Sequence, residues 1–153
     1  MSNRPNRSWG LTLLRVVVGI VFLMHGIQKL FMMGVPAVVG FLGTIGMPYP
    51  RFFGVLLPLI ELFCGAALVL GLATRANALI MAVEMGVAIV KVHLRNGFFM
   101  PTGYEFALTL LAACVCLFAM GAGAASVDGA IWGVKNEILP AKPAAAKPTP
   151  TKV

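Results

Sequence analysis

The stretch from Leu11 to Met33, LTLLRVVVGIVFLMHGIQKLFMM, constrains this chain more than any other feature. At 1.5 Å per residue it is long enough to cross a hydrocarbon core of about 30 Å. Yet it carries Arg15, His25 and Lys29, which lipid tolerates only where a partner or a polar cavity receives them. Such a helix needs other helices around it. Arg15, Gly19, Phe22, Gly26 and Lys29 recur at steps of four and three, so the charged face is also the small-residue face on which a neighbour can settle.

The remaining sequence supplies those neighbours. Hydrophobic residues make up 59% of the 153 and charged residues 11%, against about 45–50% and about 25% in soluble domains. Further apolar runs at 52–72, 76–94 and 104–120 predict an all-α polytopic membrane protein, a bundle of four transmembrane helices within residues 11–125. The segment from Gly34 to Pro50 is too short to span and reads as an interfacial or re-entrant piece, with Pro36 compatible with a short helix. Residues 1–10 read as a polar, basic N-terminal segment. The first apolar run exceeds a secretory h-region and no A-x-A-like site follows it, so an uncleaved span is expected. Residues 126–139 place Val127, Ile131, Val134 and Ile138 on one face, the pattern of an amphipathic helix lying on the membrane surface. Residues 140–153, rich in Pro, Ala, Lys and Thr, read as a disordered basic tail.

The net charge of +7 comes from scattered or terminal basic residues without aromatic interleaving, which points to the lipid bilayer as partner and not to nucleic acid. Cys64, Cys114 and Cys116 have no framework spacing and read as small packing residues. With four spans, the termini and Arg75 share one side, and the positive-inside rule puts both termini in the cytoplasm. Trp9 and Trp132 would then mark one interface, Tyr49 and Tyr104 the other.

Depth counting puts Glu61 and Glu84 near mid-membrane and His25 roughly 5 Å outward, with Lys29, Lys91, His93 and Glu105 about 9–12 Å outward. These seven are the candidate ligand- or proton-binding residues. Three carboxylates facing two lysines and two histidines suit a proton-handling or anion-binding pocket. Structural pairing is the competing account, with Lys29 on Glu105 and Lys91 on Glu84 or Glu105. Arg15 lies about 10 Å to the other side, and a structural ion pair with Asp128 is expected. The estimated depths of His25 and His93 differ by roughly 7 Å, which disfavours a shared haem iron. No metal-ligand spacing is present, and no Ser or Cys nucleophile stands with a base.

The ordered pieces LRVVVGIVFLMHGIQKL, LPLIELFCGAALVLGLATR, VAIVKVHLRNGFF, GYEFALTLLAA and GAGAASVD resemble the DoxX family of small bacterial membrane proteins, across most of residues 13–128. On that resemblance Arg15, Gly26, Lys29, Glu61, Gly71, Arg75, His93, Glu105, Ser126 and Asp128 fall on the family's recurrent polar and glycine positions. Many relatives have G-P-G where this chain has Gly121-Ala122-Gly123. The resemblance implies a four-helix bundle and, more loosely, the membrane subunit of a redox-associated, quinone-linked complex with soluble redox partner proteins. That subunit would be non-catalytic, or quinone-interacting at most. Rival readings are a small-solute or proton-coupled transporter, built as a homo-oligomer because four short helices enclose little volume, and a scaffold without chemistry of its own.

Overall fold

The structure, a computed structural model, describes residues 9–131. Arg4 and Arg7, the amphipathic helix beyond Ile131 and the basic tail 140–153 lie outside the described residues. Five α-helices lie wholly among the described residues, α1 at Trp9–Ile27, α2 at Val35–Thr44, α3 at Pro50–Leu70, α4 at Thr74–Ala88 and α5 at Glu105–Met120, and residues 127–131 are helical as well. There is no strand among the described residues. Among the described residues, three helical stretches are long and apolar enough to cross a membrane: Trp9–Met33, Pro50–Leu70 and Thr74–Asn96. Helix α5 is apolar but shorter, 16 residues or about 24 Å.

Two of the long stretches change their winding at the same end of the molecule. The α1 helix continues as a π-helix through Gln28–Met33, and α4 as a π-helix through Ile89–His93 and a 3₁₀ turn through Leu94–Asn96. A 3.6-residue repeat does not foresee such turns, which are often found at functional sites. The segment 34–49, expected as interfacial or re-entrant, holds the short helix α2 packed on the first half of α3.

The α1 helix sorts its residues as a lipid-embedded helix should. Arg15, Val18, Gly19, Phe22 and Gly26 are buried, while Leu13, Val17, Ile20 and Met24 form an exposed apolar stripe on the opposite face. In water this would be inside-out. In hydrocarbon it is the favourable arrangement, because only the inner face meets polar partners.

Glycines bring α1 and α3 into backbone contact. A methyl group on Gly19 would lie 2.8 Å from the backbone nitrogen of Val69, and one on Gly26 would lie 2.6 Å from that of Leu62. On the facing helix, a methyl on Gly65 would run into the backbone of Leu23. Where lipid tails are as apolar as side chains, such close approach is a main source of helix–helix attraction. Helix α5 packs chiefly on α4 and more lightly on α1. Val18 and Phe22, with Leu68, Met81, Leu110 and Leu117, form the shared core.

The end that carries the α3–α4 turn is closed by a clasp. Arg15 is 2% exposed. Its Nη1 donates to the Ala122 carbonyl at 2.6 Å, and its Nη2 to the Ala125 carbonyl at 2.7 Å and, at a longer 3.5 Å, to Val69. One turn earlier, the Thr12 hydroxyl accepts the N–H groups of Ala124 (2.9 Å) and Ala125 (3.3 Å). Gly71 ends α3 with φ 72°, and a Cβ there would collide with the Arg15 guanidinium and Ser126. Glycine is required at this position twice over, by conformation and by space.

The expected Arg15–Asp128 ion pair is not present. Asp128 instead accepts the N–H groups of Ala73 (2.7 Å) and Thr74 (2.8 Å), capping the start of α4, while its own N–H donates to the Gly71 carbonyl at 2.9 Å. Its charge acts on Arg15 across a gap, without contact. Unbonded N–H groups at a helix start draw a short carboxylate strongly, and the carbonyls of 122 and 125 already engage the guanidinium. Sequence counting places the two residues at the same end, but backbone groups take up the terminal nitrogens of Arg15 and both carboxylate oxygens of Asp128.

Candidate functional site

Among the described residues there is one ion pair, and it joins α1's π-helical extension to α3. Lys29 Nζ donates to Glu61 Oε1 at 2.6 Å. Glu61 is 2% exposed and Lys29 29%. This replaces the expected pairing of Lys29 with Glu105. Side chains on a helix lean toward its N-terminus. Lys29 therefore reaches back along α1, and Glu61, on an antiparallel helix, reaches to meet it. Glu105 leans the other way, into the loop before α5, where its Oε1 accepts the Met100 N–H at 2.7 Å.

Glu84 of α4 sets its carboxyl beside that of Glu61. With both acids ionised, the Oε2 atom of each is buried without a hydrogen-bond donor. Two carboxyls and one ammonium carry a surplus negative charge when both acids are ionised and none when the acids share a proton. The arrangement is built to handle a proton or a hydrogen-bond donor.

These groups stand at the polar side of a partly open cavity of about 580 Å³ between α2, α3 and α4. Lys29, Glu61, Glu84 and the exposed Lys91 are its polar lining residues. Everything else is apolar, including Phe41, Leu42 and Ile45 of α2 and Phe53 of α3. The expected pairing of Lys91 with Glu84 or Glu105 is absent too. A cavity of this size with few convergent polar groups is the usual form of a small-molecule site.

The remaining sequence candidates lie elsewhere. His25 Nδ1 donates to the Val21 carbonyl at 2.9 Å, and its ring stacks on Phe106 of α5 at 6.2 Å. His93 Nδ1 donates to the Thr102 carbonyl at 3.0 Å, and with Glu105 it organises the 97–104 loop. Four of the seven candidates thus line the cavity, and His25, His93 and Glu105 do not. No three His, Cys, Asp or Glu side chains converge as a metal site among the described residues. Sequence reasoning missed the part of α2, whose apolar residues wall the cavity, because a ten-residue apolar stretch says nothing of what it covers. It also missed Thr12 of the clasp, although Thr12 and Arg15, three apart, already share a helical face.

These features define a helical membrane protein with a charged pocket beneath a short helix. The family model for DoxX matches residues 10–94. CatD of Bacillus subtilis, provisionally named an oxidoreductase, is 34% identical over 108 residues, covering 71% of this chain and 78% of that protein. Rv3486, an uncharacterized membrane protein of Mycobacterium tuberculosis, is 35% identical over 126 residues, 75% of this chain and 77% of its own length. An uncharacterized protein of Haemophilus influenzae is 33% identical over 126 residues, 80% of this chain and 90% of its own. No solved structure matches the chain. The chain belongs to the DoxX family.

Proposed function

We propose that this protein is the membrane-embedded, ligand-binding subunit of a redox-linked assembly, and that its cavity receives the head group of a quinone-type ring compound. The observation that carries the reading is the cavity itself: about 580 Å³, apolar walls, and Lys29, Glu61 and Glu84 gathered at one side. An apolar ring and tail fit such walls, while Lys29 keeps N–H donors beyond the one given to Glu61. The provisional name of the CatD relative, which assigns it as an oxidoreductase, agrees with a redox setting. Bound quinone supplies reversible electron and proton uptake; the chain's own part is to bind, orient and exchange protons at the two carboxyls.

The wider reading is a four-span protein of the bacterial inner membrane with both termini cytoplasmic. Helix α5 is long enough to count as the fourth span if the bilayer thins slightly. The clasp holds the start of α1 and the end of α5 at one end, with Arg75 beside Gly121. Soluble redox partners and self-association belong to the same proposal.

The test is to purify the protein in nanodiscs, identify co-purifying lipids by mass spectrometry, and titrate it with decylubiquinone. Saturable binding that weakens about tenfold in Lys29→Met, or about 1.4 kcal/mol, is expected. Absence of any bound ring compound, with no response to the titration, refutes the proposal. Solute flux in proteoliposomes that stops in Glu84→Gln would instead favour a transporter.

A further inference from the structure

At the polar side of the cavity two buried carboxyl oxygens are reached by no amine of the protein. Glu61 and Glu84 contribute four carboxylate oxygens. Lys29 serves one of them, Glu61 Oε1. While both acids are ionised, Glu61 Oε2 and Glu84 Oε2 are buried without a donor, each carboxyl having only the other in hydrogen-bond reach, and Glu61 is almost wholly removed from solvent. Lys91 lines the same cavity but is exposed and forms no ion pair among the described residues. Buried acceptors without a donor are costly, so a ligand that brings hydroxyl hydrogens to them recovers more than one that brings only carbonyl oxygens. A carbonyl oxygen set against a carboxylate oxygen adds repulsion instead.

Resting on the reading of the cavity as a ring-compound site, we propose that it prefers the hydroxyl-bearing form of its ligand, a phenol or hydroquinone with an O–H donated to Glu61 Oε2 or Glu84 Oε2, over the corresponding quinone. The apolar walls carry the ring and any tail, and the acids read the hydroxyl. A site built to receive a hydroxyl rejects an analogue without one far more strongly than an apolar pocket rejects a change of size.

The test compares ligands that differ only in the donor. Decylubiquinol and decylubiquinone, handled without oxygen, and 4-heptylphenol and its methyl ether, are titrated calorimetrically against the full chain in nanodiscs, with protein-free nanodiscs subtracted. The hydroxyl form of each pair should bind about tenfold tighter or more, a difference of about 1.4 kcal/mol. The gap should narrow in Glu84→Gln, which replaces one acceptor oxygen with an N–H donor. The wild-type comparison needs no variant to fold. Equal affinity for phenol and ether, or quinone binding as tightly as quinol, overturns the inference and leaves the ring-compound site standing. Failure of all four ligands to bind overturns both.

Discussion

Replacing Lys29 by Met should strand a buried carboxylate, and the size of that effect can be worked from the structure. The amine sits 2.6 Å from Glu61 Oε1. At an effective dielectric of about 20, the gross attraction is about 6 kcal/mol. Much of it offsets the cost of taking both charges out of water, so the net value of the pair is small. The variant reveals something else, the penalty of a buried carboxylate without its counterion. For a fully buried pair that penalty is about 3–5 kcal/mol. Glu61 is 2% exposed but Lys29 is 29%, so the lower end applies, about 3 kcal/mol. The assay is reversible unfolding by SDS in mixed micelles, followed by helical circular dichroism. Lys29→Met combined with Glu61→Gln should cost less than the two single changes summed, with a coupling of at least about 1.5 kcal/mol. Coupling below about 0.5 kcal/mol would show that the two residues do not depend on each other, and would refute the electrostatic account of the site.

Other changes test the frame around the site. Gly65→Leu drives a side chain into the backbone of Leu23 and should cost about 3 kcal/mol or more by the same unfolding assay. Arg15→Lys keeps the charge but cannot hold the carbonyls of Ala122 and Ala125 in one planar fork. A loss of about 2 kcal/mol is expected, with faster proteolysis after Met120; unchanged protection there would count against the clasp. Asp128→Ala frees two N–H groups at the start of α4 and should cost about 1–2 kcal/mol. Asp128→Asn keeps one acceptor oxygen and turns an amide donor toward the second N–H, so it should recover only part of the loss seen in Asp128→Ala.

The sequence by itself determined where this chain lives and which faces of its helices look inward. The apolar runs are long enough to demand lipid, and the stripe through Arg15, Gly19, Phe22 and Gly26 is the buried face of α1 because charge and small residues can be tolerated only against another helix. It also separated Arg15 from the cluster holding Lys29, since fourteen residues of helix put them about 20 Å apart. Only the tertiary structure decided which charges meet. Depth counting treats a residue as a point on an axis, so it placed Lys29 level with Glu105 and Arg15 level with Asp128. Side chains instead lean toward their own helix N-terminus, which carries Lys29 back to Glu61 and turns Glu105 into its loop. Backbone carbonyls and N–H groups, invisible to residue-type reasoning, then took up Arg15 and Asp128. The cavity belongs wholly to the second category. It exists because α2 folds over the gap between α3 and α4, and the volume left between packed helices is set by their geometry, not by the composition of any one of them.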